Sequence, residues 1–209
     1  MLLGDSIFDN KVYVRDGPAV IDQLRKIIPD GWRATLLAVD GNTTADIAGQ
    51  LERLPQDATH LVISVGGNDA LRAESVLGRS VADVSQGLLA MADVRDTFEH
   101  DYRVMLDTVL AVGKPTTICT IYDPNFVNAI EQRAAVLALN AFNDVITRAA
   151  SYRGLPIIDL RVVIDSPDDY ANPIEPSAVG GEKLTRAILT VISGHDFTKP
   201  RCVLYGRPA

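Results

Sequence analysis

Apolar residues along the chain form two kinds of run, short continuous ones and longer ones with helical spacing. The short runs predict β-strands at residues 2–3, 33–39, 61–65, 116–122 and 155–159. The longer runs predict helices at residues 19–28, 44–54, 134–152 and 177–192, with one or two helices within 81–112. Because each apolar strand is followed by a helical segment, the pattern predicts a parallel sheet with helices on both faces.

This pattern predicts a single domain over residues 1–209, an α/β protein with three layers (α/β/α) around a five-stranded parallel sheet. A chain of 209 residues suits one domain with one sizeable core. The sequence has no internal repeat and no linker long enough to separate two domains. Its one long turn-rich segment, residues 164–176, precedes the last helix. We expect this segment at the carboxyl ends of the strands, where open α/β sheets bind their ligands.

Charge and composition limit the partners of the protein. A formal net charge of −7 argues against nucleic acid and against anionic membrane surfaces. The chain has no apolar run of about 20 residues, so we expect no membrane span. It also lacks a basic region followed by an apolar stretch at its start, which favours a cytoplasmic protein. Only three residues precede Gly4-Asp5-Ser6, however, so an upstream segment and export remain open.

The two cysteines, Cys119 and Cys202, are too few for a disulfide framework. Cys119 lies within an apolar strand-like run and is interpreted as a small core residue. The sequence has no paired metal-ligand spacing and no cofactor-binding motif, so we expect neither a metal nor another cofactor.

Three short motifs follow the first three predicted strands, namely Gly4-Asp5-Ser6, Asp40-Gly41-Asn42 and Gly66-Gly67-Asn68-Asp69. A serine on a sharp turn after a strand can attack an acyl carbon. A glycine N–H and an asparagine side-chain amide can hydrogen-bond the oxyanion that this attack creates. The motifs therefore predict a serine nucleophile and oxyanion donors facing one crevice.

In their order along nearly the whole chain, these motifs resemble the SGNH (GDSL-type) hydrolases, a flavodoxin-like family of esterases, lipases, thioesterases and carbohydrate deacetylases. The resemblance implies that Ser6 is the nucleophile. It also implies an oxyanion hole formed by Ser6, Gly41 and Asn68. The expected partner is a small-molecule ester.

The last motif of that family, Asp-x-x-His, is changed here to Asn172-Pro173-Ile174-Glu175. Glu175 stands in the position of the histidine base, and Asn172 in that of the aspartate. A glutamate, with a reference pKa of about 4.3, is a weak base at neutral pH. Burial, or a neighbouring carboxylate such as Asp5 or Asp169, would raise that pKa. We expect an amide at Asn172 to hydrogen-bond a carboxylate that an aspartate would repel, so the predicted catalytic residues are Ser6, Glu175 and Asn172.

Another histidine is the alternative base. His195 follows the last helix, which begins at the crevice and carries its end roughly 24 Å away. His60 precedes the third strand and belongs to the opposite edge of the sheet. His100 lies in the long helical region, where the sequence does not fix its position, so His100 is the first substitute for Glu175.

Structural roles compete with these functional ones. Ser6 can cap a helix, with Asp9 three residues later completing a capping box. Asn68 and Asp69 are common turn residues. Glu175 can be a solvated acid near the start of the last helix, where the helix dipole favours negative charge.

Two functions remain from the sequence alone. The first is an ester hydrolase with Ser6 as nucleophile and Glu175 as base. The second is a catalytically impaired protein of the same fold that binds a small acylated or carbohydrate ligand. A nucleotide-binding role is disfavoured, because no glycine-rich phosphate loop follows the first strand.

Overall fold

The computed structural model describes residues 1–207 and is built on a sheet of five parallel strands. The order of the strands across the sheet is β1 (Leu2–Gly4), β2 (Leu61–Ser64), β3 (Thr116–Cys119), β4 (Ile157–Ile158) and β7 (Leu204–Tyr205). Every neighbouring pair is parallel. The predicted five-stranded parallel sheet is confirmed.

The predicted helices are present with shifted ends. The α-helices of the described residues are α1 (Val20–Ile27), α2 (Ile47–Leu51), α3 (Gly67–Arg72), α4 (Val84–Leu110), α5 (Ala129–Arg153), α6 (Leu160–Val163) and α7 (Ala178–Gly194). Short 3-10 helices cover Thr44–Asp46, Glu74–Gly78 and Pro167–Asp169. The one or two helices predicted within residues 81–112 are a single helix, α4. The short helices α3 and α6 were not predicted from the apolar pattern. None of these helices is both long and apolar enough to span a bilayer.

The two faces of the sheet carry separate cores, because side chains alternate between faces along a strand. Leu2 and Val62 point into one core, which α1 and α7 cover. Leu3 and Ile63 point into the other, which contains residues of α4 and α5. The three-layer arrangement follows from this alternation.

The prediction of a strand at residues 33–39 is wrong, because this segment does not form a regular strand. The segment lies beside β1, but it forms only an isolated parallel bridge between Leu36 and Leu2. Both Leu37 N–H and Ala38 N–H donate to the carbonyl of Leu2, at 2.8 and 3.0 Å, which interrupts the ladder. The fifth strand is instead β7, whose two residues are too few for a periodic signal.

From this edge segment the chain crosses to β2 on the other side of β1. The direction of winding therefore reverses at the boundary between β1 and β2. In open α/β sheets such a switch point opens a crevice at the carboxyl ends of the strands. The loops that follow β1 and β2 carry Ser6 and Asn68, so both lie at this crevice.

The amino-terminal halves of α4 and α5 extend beyond the sheet. The first buried residues of these helices are Phe98 and Phe142. Next to Phe142, the Asn143 side chain bonds both the N–H and the C=O of Ile121, just past the end of β3. At 1.5 Å per residue, each helix therefore projects about 20 Å past the carboxyl edge of the sheet.

The turn-rich segment before the last helix folds into a hairpin of β5 (Tyr170–Asn172) and β6 (Glu175–Pro176). The loop after β3 holds this hairpin in place. Tyr122 Oη donates to the carbonyl of Ile174, and Tyr170 Oη donates to the carbonyl of Asp123 at 2.6 Å. These bonds bring Glu175 to the carboxyl edge of the sheet.

Candidate active site

Ser6 lies on a tight turn that the backbone of Gly4 makes possible. Gly4 ends β1 with a φ of +133°, and a Cβ at this position would lie 1.7 Å from the carbonyl oxygen of Ser64. Only glycine allows β1 to approach β2 this closely. The turn is closed by Asp5, whose Oδ1 accepts the Ile7 N–H at 3.2 Å. No helix begins at this turn, since the next one starts at Val20, so the capping role considered for Ser6 is wrong.

The side chains of Ser6 and Glu175 are joined by a hydrogen bond. Ser6 Oγ donates to Glu175 Oε1 at 2.9 Å, and both residues are only 6% exposed. The interpretation of Glu175 as a solvated acid is thus wrong, because its carboxyl group is buried against the serine. The arrangement places a proton acceptor directly on the hydroxyl of Ser6.

The environment of Glu175 makes its carboxyl group a stronger base. The pKa of Glu175 is raised to about 7: burial is the main cause, the hydrogen bond from Ser6 opposes the rise, and the charge of Asp40 adds to it. Glu175 Oε2 is buried and has no hydrogen-bond partner within the described residues. A group with a pKa near neutrality can both accept and return a proton at physiological pH.

Of the two carboxylates expected beside Glu175, Asp5 is the one in its vicinity. Asp5 is 2% exposed, and burial raises its pKa to about 8, with the charge of Glu175 contributing to the rise. The expectation for Asp169 is wrong. Asp169 Oδ2 accepts from Lys183 Nζ at 2.7 Å and from two backbone N–H groups, so it stabilises the loop before the hairpin.

Asn172 contacts Glu175 through the backbone. Asn172 Oδ1 accepts the N–H of Ile174 at 2.9 Å and the N–H of Glu175 at 3.0 Å. The expected bond from the amide to the carboxylate is replaced by one to the backbone of the same residue. Asn172 therefore shapes the hairpin turn from which Glu175 points toward Ser6.

The N–H groups of Ser6, Gly41 and Asn68 are candidates for an oxyanion hole, and of these residues Ser6 and Asn68 line the same cavity. Within residues 1–207, neither the backbone N–H of Ser6 nor that of Gly41 donates to a protein acceptor. Asn68 Nδ2 donates one hydrogen to the carbonyl of Asn42 at 2.9 Å, which leaves its second hydrogen free. Gly41 has a φ of +81°, a conformation that favours glycine.

Two polar residues hold these loops together: Gln50, which was not identified from the sequence, and Asp69, which was interpreted from the sequence only as a motif and turn residue. Gln50 is 1% exposed; its Oε1 accepts the Gly4 N–H at 2.8 Å, and its Nε2 donates to the Gly4 carbonyl at 2.7 Å and to Asn42 Oδ1 at 2.8 Å. Asp69 accepts from Thr44 Oγ1 at 2.6 Å and from its N–H. The sequence feature that could have identified Gln50 is its position as a polar residue next to the apolar face of a short helix.

The three histidines lie away from Ser6 or are exposed. His195 Nδ1 is 3.0 Å from Tyr205 Oη beside β7, and the backbone carbonyl of His60 accepts from the amino terminus of the chain. His100 is an exposed residue of α4. The described part of the chain contains no group of three or more His, Cys, Asp or Glu side chains arranged to hold a metal ion.

A cavity of about 470 Å³ opens beside Ser6. Its polar end contains Asp5, Ser6, Asn68 and Glu175, and most of the remaining lining is apolar. The volume falls within the range of about 300–1,000 Å³ that is usual for small-molecule sites. The nucleophile and its acceptor thus face a preformed pocket.

Comparison with known proteins places these features in a family. The model of the GDSL-like lipase/acylhydrolase family matches residues 2–182. No curated protein matches the chain in a sequence search.

Several solved structures have the same fold at low sequence identity. The extracellular lipase of Streptomyces rimosus superimposes with a TM-score of 0.66 at 18% identity, over 93% of this chain and 98% of the lipase. A lipolytic protein of the G-D-S-L family from Veillonella parvula gives 0.67 at 15% identity, over 93% and 97%. Axe2, an acetyl-xylooligosaccharide esterase from Geobacillus, gives 0.61 at 20% identity, over 96% and 95%.

Proposed function

Since the chain belongs to the GDSL-like lipase/acylhydrolase family and is an ester hydrolase, we propose that it cleaves carboxylic esters through Ser6, with Glu175 as the general base. The observation that carries this proposal is the 2.9 Å hydrogen bond from Ser6 Oγ to Glu175 Oε1. It joins a hydroxyl group to a carboxyl group whose pKa burial raises to about 7.

In the acylation step, Glu175 accepts the proton of Ser6 as Ser6 Oγ forms a bond to the ester carbonyl carbon. The negative charge moves to the carbonyl oxygen, which the N–H groups of Ser6, Gly41 and Asn68 stabilise. The protonated Glu175 then gives its proton to the alkoxide oxygen as the bond between the acyl carbon and that oxygen breaks. The products of this step are an alcohol and an acyl-enzyme.

Deacylation repeats these roles with water as the nucleophile. Ionised Glu175 takes one proton from water, and the resulting hydroxide attacks the acyl carbon. When the tetrahedral intermediate collapses, Ser6 leaves and recovers its proton from Glu175. A base with a pKa near 7 suits both directions of transfer, because neither protonation state is scarce at neutral pH.

The solved structures of similar fold favour an ester substrate but differ in the acyl group. Three of these proteins are a lipase, a phospholipase A1 from Streptomyces albidoflavus and an acetyl-xylooligosaccharide esterase. Ester cleavage is common to these three descriptions, whereas the size of the acyl group is not. We therefore infer only the reaction class from these similarities. The acyl group that the protein accepts depends on the shape of its pocket.

Hydrolysis of p-nitrophenyl butyrate by the wild type, Ser6→Ala and Glu175→Gln tests the mechanism. We expect kcat to fall by about 10³-fold or more in Ser6→Ala and by 10²- to 10⁴-fold in Glu175→Gln. Glu182→Gln, on the exposed face of α7, and Ser151→Ala, on the exposed end of α5, are matched controls that keep wild-type rates. Full activity in Glu175→Gln would move the base elsewhere, with His100→Ala as the next variant. A wild type no faster than Ser6→Ala would favour the ligand-binding alternative.

A further inference from the structure

The cavity beside Ser6 continues away from the catalytic groups, between the projecting parts of α4 and α5. Its floor near Ser6 includes Phe142, which packs on Phe98 with ring centroids 4.7 Å apart. A Cβ on Gly66 would lie 3.1 Å from Phe98, so the floor packs closely against the loop that carries Asn68. From the floor, the cavity follows one face of α5 outward as far as Glu131.

The wall along α5 is made of small side chains at helical spacing. Ala134, Ala135 and Ala138 line the cavity between Glu131 and Phe142. The eleven steps of 1.5 Å from Glu131 to Phe142 give this wall a length of about 16 Å. An extended chain advances about 1.2 Å per bond, so the wall matches a linear chain of about thirteen bonds.

The lining has few polar groups beyond the end that holds Ser6. Among the described residues that line it, the charged side chains are four acids and no bases: Asp5, Glu74, Glu131 and Glu175. A negatively charged ligand group would meet only like charges there, which is unfavourable. The chemistry of the walls thus fits an uncharged apolar chain.

The outer end of the cavity combines apolar side chains with Asn128 and Glu131. Leu77 and Ile130 line the cavity and yet remain 48% and 82% exposed, so they form its rim toward solvent. An exposed apolar rim is expected at a mouth through which an apolar group enters.

We propose that this cavity binds the acyl chain of an uncharged ester of a medium-length fatty acid, with room for up to about fourteen carbons by the length of the α5 wall. The inference rests on the proposed function, because it places the ester carbonyl at Ser6 and the chain along α5. It distinguishes the protein from an enzyme that removes acetyl groups, which need none of this volume.

The test measures kcat/KM for p-nitrophenyl esters from acetate to laurate, each below its critical micelle concentration. Burial of one methylene contributes up to about fourfold, so we expect octanoate to exceed acetate by roughly tenfold or more in the wild type. Ala135→Leu places a larger side chain two helical turns from Phe142. It should lower kcat/KM for octanoate and decanoate at least tenfold and leave acetate within about twofold.

Ala92→Leu is the matched control, since Ala92 is an exposed residue of α4 that does not line the cavity. This variant should keep the wild-type chain-length profile. A wild-type rate that is flat or falls with chain length would overturn the inference. So would an Ala135→Leu variant that lowers acetate and octanoate equally.

Binding to Ser6→Ala separates this inference from the catalytic proposal. Calorimetric titration with methyl decanoate should give a dissociation constant at least tenfold below that of methyl acetate, and the added Ala135→Leu substitution should abolish the difference. If the wild type hydrolyses no ester but Ser6→Ala binds methyl decanoate in this way, the catalytic proposal fails and the cavity assignment stands. If acetate is hydrolysed but methyl decanoate does not bind, the cavity assignment fails and the catalytic proposal stands.

Discussion

Ser6 and Glu175 are 169 positions apart in the chain, and their side chains share a hydrogen bond of 2.9 Å in a buried site. The hydroxyl of Ser6 is the one partner of the carboxyl group in the described residues, because Glu175 Oε2 is buried without a partner. Among residues 1–207, no positively charged side chain forms a salt bridge with Glu175. Its ionised form is therefore destabilised, and the carboxylate gains free energy by accepting a proton.

The pH dependence of hydrolysis should follow the ionisation of Glu175. Because the base acts only when ionised, we expect kcat/KM to rise with pH through a midpoint of about 7. Asp40→Asn should lower this midpoint, since the charge of Asp40 contributes to the raised pKa. Asparagine keeps an acceptor for the hydrogen bond from Tyr13 Oη at 2.8 Å. A pH–rate profile of both proteins checks this, and an unchanged midpoint in Asp40→Asn contradicts it.

Ionisation of the two buried carboxyl groups should also weaken the fold. The pKa of Asp5 rises from 3.8 to about 8, and that of Glu175 from 4.5 to about 7, so the folded protein holds protons that the unfolded chain releases. The contribution of these two groups to the free energy of unfolding is therefore most favourable below about pH 4. It becomes less favourable as the pH rises from about 4 to about 8. Thermal unfolding from pH 5 to 8 should show Tm falling in the wild type.

The matched variants for this effect are Asp5→Asn and Glu175→Gln, which cannot ionise. Each should unfold at a higher temperature than the wild type at pH 8, and the difference should shrink toward pH 5. Glu175→Gln would then combine higher stability with lost activity, as expected of a strained catalytic group. A Tm difference that is constant across this range would show that the buried charges are not its cause.

The sequence identified the position of Glu175 but not its contacts. The residues around the Asp-x-x-His motif identify position 175 as that of the family histidine. The predicted strands and the turns that follow them place Ser6, Asn68 and Glu175 at one edge of the sheet. The contact of Asn172 could not be predicted, because it depends on the turn between the short strands β5 and β6. Gln50 was missed because its partner is the peptide of Gly4, 46 positions away in the chain.

The helical spacing of apolar residues in α4 does not place all of them in the core. Leu88 and Met91 both fit this spacing. Leu88 is 66% exposed, and Met91 lines the cavity. Periodicity reveals which face of a helix is apolar, but not whether that face meets the sheet, a ligand cavity or solvent.

Gln50 should act as a positioning residue for the nucleophile. It satisfies both the N–H and the C=O of Gly4 and links them to Asn42, next to Gly41. Gln50→Leu removes these bonds and leaves the buried N–H of Gly4 unpaired, whereas the Gly4 carbonyl still accepts the Val39 N–H at 3.2 Å, so we expect a loss of about 1–3 kcal/mol in unfolding free energy. Gln50→Glu keeps the acceptor for the Gly4 N–H but loses two donors. We expect it to lower kcat more than it raises KM, measured with p-nitrophenyl butyrate; a change in KM alone contradicts this role.

Asn68 should contribute to the transition state rather than to substrate binding. One hydrogen of Asn68 Nδ2 is held by the carbonyl of Asn42, which orients the second hydrogen. Removal of one oxyanion donor costs about 10²- to 10³-fold in kcat, so Asn68→Ala should fall in this range with KM nearly unchanged. Asn140→Ala, on the exposed side of α5, is the control. Equal changes in kcat for the two variants would contradict the assignment.

Restoring the family motif should exchange one base for another. In Asn172→Asp with Glu175→His, the carboxylate at 172 can still accept the backbone N–H groups that Asn172 Oδ1 now accepts. The imidazole at 175 has a reference pKa of about 6.5, and the new aspartate stabilises its protonated form. We expect this double variant to hydrolyse p-nitrophenyl butyrate at least tenfold faster than Glu175→Gln, because a base again faces Ser6. A double variant as slow as Glu175→Gln would mean that position 175 does not hold the base.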